Sequence, residues 1–423
     1  MHSFDSYLKK NAGFPPFITE KPEDQLSCCV VIPCYREPEL FKTLESLLSA
    51  TPPSLPTEVI VVVNSPEAAP SDALEINQQT IAQFQSWKQR TPSGKISFKL
   101  IHIPELRKKW AGAGWARKIG MDEAIHRFNL AGNENGIIVS LDADCRVSPN
   151  YFTAIEEAFQ SCSKCQLFTV GFEHDLQEPG LDSGLRDGIT RYELYMRYYR
   201  HAMQLTGYPN AIYTVGSAFA VRAGACVKQG GMNRKKAGED FYFLHKVVQL
   251  GTFGEISEAL VFPGIRTSDR VPFGTGPKLA QFLSGEDSME TTYSFRAFEE
   301  LQPFFRKVNE LYHLDQQQLA GTIDSLPAPL RRFLMQSGAT DVILELQSNC
   351  SGDSIFARRF FHRFNAFWIL KYLNFVHEED YKPELLLKAA RQLLQAKGIE
   401  SAASSDYSTL LHIFRNIDYS NHI

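Results

Sequence analysis

Short β-branched apolar runs alternate with amphipathic stretches along the first third of the chain. "CCVVIPCY" from Cys28 is a compact run closed by Pro33 and predicts a first strand. In "EPELFKTLESLLSA" the apolar residues Leu40, Phe41, Leu44, Leu47 and Leu48 recur at helical spacing. "TEVIVVVNS" from Thr57 predicts a second strand, stopped by Asn64, Ser65 and Pro66. Ser71 or Asp72 would cap a helix through "SDALEINQQTIAQFQSWKQR". "KISFKLIHIP" from Lys95 predicts a third strand, and "GAGWARKIGMDEAIHRF" from Gly112 starts loose and becomes helical. Ile137 to Leu141 then predict a fourth, buried strand. Strands and helices alternating in this way predict an α/β sheet of largely parallel strands.

After residue 290 the texture changes. "FRAFEELQPFFRKVNELYHL" and "YKPELLLKAARQLLQAKG" are helical in period, and "LPAPLRRFL" marks a break near Pro327. The pattern divides the chain into an N-terminal extension over 1–26, a sheet domain over 27–285 and a mainly helical domain over 286–423. A length of 423 residues supports more than one core.

In α/β sheets of this kind ligands sit beyond the carboxyl ends of the strands. Pro33 to Glu37, Asn64 and the pair Asp142 and Asp144 all fall at such ends. A buried strand has no structural use for two carboxylates one residue apart. Hard oxygen ligands so placed suit Mg²⁺ or Mn²⁺, with substrate phosphate and water completing the shell. The plainer alternative is an Asx turn, or a helix cap at Ser148 ahead of "SPNYFTAIEEAF". Upstream, Arg117 and Lys118 lie among Gly112, Gly114 and Gly120, and cations opposite paired acids fit a diphosphate; one basic pair can equally be an exposed helix face. Glu239 and Asp240 open a helix after a Gly-rich loop, where carboxylates either cap the helix or take a proton from a hydroxyl. Arg266 and Arg270 in "RTSDRVPFGTG" form either a loop that closes on a diphosphate or an ordinary exposed linker. His245, near Asp240, reads as a packed or surface histidine.

Charge narrows the partners. With 44 basic and 48 acidic residues the net charge is −4, so nucleic acid is not an expected partner. The N-terminus has no apolar run of signal-peptide length and no 18-residue apolar stretch occurs, so the expected location is cytoplasmic. "FARRFFHRFNAFWILKYLNFV" mixes basic and aromatic residues and is compatible with peripheral membrane contact, although tight packing inside the second domain is the stronger reading. Cys162 and Cys165 form a CxxC with no second ligand pair at zinc spacing and read as two ordinary thiols.

Taken in order, "VVIPCYREPE", "EVIVVVNS", "AGWARKIGMDEA", "IIVSLDADCRVSPNYF", "YTVGSAFAVRAGACVKQGGM" and "AGEDFYFLHKVVQLG" resemble the motifs of family 2 glycosyltransferases of the GT-A fold, across residues 27–275. The resemblance implies a GT-A nucleotide-binding sheet domain followed by a helical domain. It implies that Asp144, with Asp142, holds Mn²⁺ or Mg²⁺, that Asp240 of the Glu239–Asp240 pair is the general base, that Pro33, Tyr35 and Glu37 surround the nucleotide, and that Arg117 lies near the donor phosphates. Many relatives carry an acid where Asn64 stands, so a uridine preference does not carry over. Gly285-Glu286-Asp287 repeats the "GED" motif without its loop and lies beyond the matched region.

The reaction implied moves a sugar from a nucleotide donor to an acceptor hydroxyl, metal-dependently and with inversion; the acceptor could be a glycan, a lipid-linked molecule or a small molecule. Two other readings start from the same strand ends. A nucleotidyltransferase would need a Gly-rich phosphate loop after strand one, which "IPCYREPELF" lacks. An inactive binding module would not need Asp142, Asp144 and Asp240 together.

Overall fold

The computed structural model describes residues 3–107, 110, 112–234, 238–270 and 274–420. The chain forms two compact units: Met1–Arg186 with Thr214–Ala280 and Asp418–Ile423, and Asp187–Tyr213 with Gln281–Ile417.

The first unit is built on one sheet. Its strands are β1 (Cys28–Cys34), β2 (Thr57–Pro66), β3 (Ile96–Leu106), β4 (Ile137–Ser140), β5 (Arg146–Val147), β6 (Leu167–Phe172), β7 (Phe219–Arg222) and β8 (Phe253–Phe262). They lie in the order β3-β2-β1-β4-β7-β6-β8-β5. β1 is buried at every position and sits between β2 and β4, both parallel to it. That is the environment a continuous apolar run requires. The strand runs on past Pro33 to Cys34; Pro33 pairs with Val62 beyond the last residue that β4 matches.

The sheet is largely parallel, as the pattern predicts: six of its eight strands run one way, and only β7 and the two-residue β5 run against them. β7 runs antiparallel to both of its neighbours, β4 and β6, and β5 is antiparallel to β8. The GT-A-like α/β class expected from the sequence holds, with a helical region beyond it.

The helices, in chain order, are α1 (Ser3–Asn11), α2 (Leu40–Ser49), α3 (Ser71–Arg90), α4 (Ala113–Leu130), α5 (Tyr151–Ser161), α6 (Ser183–Leu205), α7 (Ala223–Lys228), α8 (Glu239–Val247) and α9 (Thr275–Leu283), of which α6 from Asp187 and α9 from Gln281 belong to the second unit. α4 lies tight on β1 and β2: a Cβ on Gly120 would come within 2.4 Å of a Val31 methyl and 3.1 Å of a Val62 methyl. The N-terminal segment is fastened to α4 by polar groups. Tyr7 donates to Asp122 at 2.6 Å, and Glu123 accepts the backbone N–H groups of Phe17 and Ile18. α3 begins at Ser71 after Pro70, and neither Ser71 nor Asp72 caps it. α5 has Asn150, not Ser148, at its N-cap, and Ser148 Oγ donates to the Asn150 side chain. Cys162 and Cys165 are joined in a disulfide rather than standing as thiols.

The second unit is mainly helical, with a two-stranded ribbon of β9 (Thr291–Thr292) and β10 (Glu384–Leu385). "FRAFEELQPFFRKVNELYHL" forms three short helices, Phe295–Glu299, Gln302–Arg306 and Val308–Leu311, broken around Pro303. The aromatic-basic segment forms helices Asp353–Arg363 and Ala366–Glu379, divided at Asn365, whose side chain accepts the N–H groups of Phe367 and Trp368. Phe356, Phe360, Phe364, Ile369 and Tyr372 of this segment are buried, so aromatic packing accounts for most of its composition. No helix among the described residues is long and apolar enough to cross a membrane.

Candidate active site

The carboxyl ends of β1, β2 and β4, the start of α8 and the chain after β8 place their polar residues in one region of the first unit. At its centre is Arg117, projecting from the first turns of α4. Its Nε donates to Ser140 Oγ at 2.9 Å, one Nη to Asp142 Oδ1 at 2.6 Å, and the other to Glu239 Oε1. Ser140 passes the contact on, donating to the Gly216 carbonyl at 2.7 Å. Burial alone would disfavour the charge of Arg117; the carboxylates of Asp142, Glu239 and Asp240 outweigh it and hold its pKa above the ordinary arginine value.

Asp240 lies beside this hub. A Cβ on Gly216 would stand 3.0 Å from Arg117 Nη2 and 3.0 Å from Asp240 Oδ2, so the two groups approach one another over a residue with no side chain. Gly238, at φ 68°, turns the chain into α8 and sets Glu239 and Asp240 in its first turn. Asp240 Oδ1 accepts the Phe241 N–H at 2.7 Å. Burial raises the pKa of Asp240, with Arg117 and that N–H pulling it back down; Glu239 is raised by burial too, against the pull of Arg117. His245, one turn further on, is buried against the Phe241 ring, and burial pushes it down to about 4.

The second half of the site is an ion-pair cluster. Arg266 donates to Asp144 Oδ2 at 2.7 Å and to Glu37. Arg270 donates to Glu37 at 2.7 Å and to the Tyr35 carbonyl at 3.1 Å, with Asp144 Oδ2 3.8 Å away. Glu37 is 1% exposed and holds both guanidiniums. The carboxylate that motif position sets beside the nucleotide is therefore committed to the arginines after β8.

Asn64, at the end of β2, is 2% exposed. Its carbonyl accepts from Asn77, but its side-chain amide has no hydrogen-bond partner among the described residues. Asn77 also bonds Ser65 Oγ and the Arg36 N–H, which holds the strand end in place. Lys118 does not join the cluster. It points to the far side of α4 and forms a buried set with Asp122, at 2.8 Å, and Tyr7.

Asp142 and Asp144 fit a hard divalent cation. Each uses one oxygen on a guanidinium; Asp142 Oδ2 has no partner among the described residues, and Asp144 Oδ1 has only the Cys145 thiol at 3.9 Å. Burial raises the pKa of Asp142, with Arg117 opposing the rise and Asp144 adding to it. No group of three His, Cys, Asp or Glu able to hold a metal occurs among the described residues, so such an ion would take its other ligands from substrate and water.

Ser140 and Gly216 were not legible as site residues. Each nevertheless lies inside a family-like motif, Ser140 in "IIVSLDADCRVSPNYF" and Gly216 in "YTVGSAFAVRAGACVKQGGM". A cavity of 280 Å³ lies away from the strand ends, between the N-terminal segment and α4, lined in part by Phe14, Phe17, Ile119 and His126.

Residues 29–228 match the family model described as Glycosyl transferase family 2. No curated protein sequence matches the chain. Among solved structures the chain is similar to S. aureus TarS 1–349 in complex with UDP-GlcNAc, at 12% identity and TM-score 0.42, covering 80% of this chain and 92% of that one. The S. aureus TarS 1–349 structure without a named ligand matches at 13% identity and TM-score 0.39, with the same coverage of 80% and 92%. The complex of the same fragment with UDP matches at 12% and 0.39, again over 80% and 92%.

Proposed function

This chain is a glycosyltransferase of family 2, its residues 29–228 carrying the family's domain, and we propose that it transfers a sugar from a nucleoside-diphosphate donor to an acceptor hydroxyl in a metal-dependent, inverting reaction. The observation that carries the proposal is the meeting of Arg117, Asp142, Glu239 and Asp240 at the strand ends.

A divalent ion, Mn²⁺ or Mg²⁺, held by Asp144 with Asp142, would neutralise charge developing on the diphosphate as the sugar departs. Arg266, partly exposed at the rim and bonded through one Nη only, is the cation best placed to exchange toward phosphate oxygens, with Arg270 beside it. Arg117 has a different task. Each of its nitrogens is taken by a protein acceptor, so it positions Asp142 and Glu239 rather than contacting the donor. Asp240 accepts the proton of the acceptor hydroxyl as that oxygen attacks the anomeric carbon. Glu239 is buried and paired with Arg117, which leaves no second carboxylate ready to form a covalent glycosyl intermediate. One displacement with inversion follows. The Asn64 amide, buried at the end of β2, can both donate and accept, where an ionised acid could only accept. The acceptor is a glycan, a lipid-linked molecule or a small molecule.

The test is a set of UDP- and GDP-sugars incubated with the protein and Mn²⁺, with release of nucleoside diphosphate as the readout. Release that depends on Mn²⁺ and disappears in Asp144→Ala supports the reading. Release equal with Mn²⁺ and with chelator would remove metal dependence, and no release or binding of any donor would leave a domain without turnover.

A further inference from the structure

We infer that Arg266 is the exchangeable counter-ion of Asp144 and that it couples metal binding to diphosphate binding. This rests on the donor-binding reading above and goes beyond it, by assigning the coupling to one side chain.

The argument begins with charge. Glu37 and Asp144 are two carboxylates facing two guanidiniums, Arg266 and Arg270, and the four groups balance with no further ion. The cluster around Arg117 is different: Asp142, Glu239 and Asp240 face a single arginine. A divalent cation arriving alone at Asp144 meets Arg266, whose Nη2 is 2.7 Å from Oδ2 of the same carboxylate whose Oδ1 the ion would use. Two positive charges then compete for one carboxylate. A diphosphate removes the conflict, because it offers Arg266 a new anion of the geometry that a guanidinium fork prefers.

Arg266 is built to make that exchange. Its side chain is 29% exposed, so its charged end reaches open space at the rim. Its Nε is buried without a partner among the described residues, which show no third bond holding the guanidinium. Glu37 does not depend on Arg266 alone, since Arg270 holds the same oxygen at 2.7 Å. The backbone two residues before Arg266 packs directly on the acid pair: a Cβ on Gly264 would stand 3.0 Å from the Asp144 carbonyl. The side chain, not the loop, is the part that swings.

Coupling of this kind is reciprocal. The factor by which nucleotide tightens the metal equals the factor by which metal tightens nucleotide, typically about 5- to 150-fold. The experiment measures Mn²⁺ binding to nucleotide-free protein from the EPR signal of the free aquo ion, and UDP and GDP binding by calorimetry with and without Mn²⁺, in wild type, Arg266→Gln and Arg266→Lys. Wild type is expected to bind Mn²⁺ alone weakly and to show a coupling factor of about 5 or more for the nucleotide it accepts. Arg266→Gln is expected to bind Mn²⁺ alone about tenfold more tightly and to lose most of the coupling. Arg266→Lys keeps the charge and is expected to keep Mn²⁺ binding weak. Equal Mn²⁺ affinity in wild type and Arg266→Gln overturns the inference while leaving metal-dependent donor binding intact. A wild-type coupling factor of one also overturns it, whether or not the variants fold. Mn²⁺ bound in no sample, with or without nucleotide, overturns this inference and the metal-dependent reading together.

Discussion

Asp240 and Asn64 are the two residues whose surroundings make the sharpest demands. Burial raises the Asp240 pKa and Arg117 only partly restores it, so the ionised base is reached later in pH than for a free aspartate. The rate should therefore rise with pH along an acid limb lying above the usual carboxylate range. That limb belongs to Asp240 together with Glu239 and Asp142, because the three carboxylates share Arg117. A pH–rate profile measures it, and a limb at the ordinary aspartate value would remove Asp240 as the base. Asp240→Asn should retain donor binding and lose about 10²- to 10⁴-fold in turnover. Asn64→Asp turns a side chain that can donate and accept into one that only accepts, and should change the ratio of UDP to GDP affinity in competitive binding. An unchanged ratio would assign Asn64 to ending β2. Both residues are legible in their motifs, but what Arg117 and Glu37 hold is not. Those pairings join residues 122 and 229 positions apart, and no local pattern encodes such a distance.

At the scale of elements, the strands and helices from β1 to α4 were readable because each apolar run or helical stripe ends in a turn residue. β7 was not. A four-residue strand carries no sign of its direction, and its antiparallel place between β4 and β6 depends on where the chain returns to the sheet. α4 can be tested directly, since its approach to the sheet depends on Gly120. Gly120→Ala gains about 1 kcal/mol of helix propensity, while the new methyl meets Val31 at 2.4 Å, an overpacking worth about 1–3 kcal/mol. The sign is resolved by a cycle with Val31→Ala, which removes the obstructing methyls. Gly120→Ala should be more favourable in the Val31→Ala background than in wild type, by at least about 0.5 kcal/mol in urea unfolding. Equal effects in the two backgrounds would mean that α4 does not rest on β1 through this contact.

For the whole molecule, the order of the chain and the order of its cores differ. Composition suggests a boundary at 285/286, where the pattern becomes helical. The second compact unit nevertheless takes Asp187–Tyr213 from the middle of the chain and joins it to Gln281–Ile417. Within that unit Glu193 is fully buried and accepts from Arg197 and Arg415, each at 2.7 Å, and Tyr198 packs edge-on to Phe298. A fragment of residues 286–423 keeps Arg415 and Phe298 and loses Glu193 and Tyr198. It would retain a cation without its acid and an apolar face without its cover, and exposing even one large apolar side chain costs about 1.5–3 kcal/mol, a large share of the stability of an ordinary domain. The fragment should therefore keep helical content in circular dichroism yet lack a cooperative melt. Joining residues 187–213 to 281–417 through a flexible linker should restore the transition. A sigmoidal melt for 286–423 alone would show that the helical segment is a complete folding unit, and that the middle of the chain adds to its surface rather than to its core.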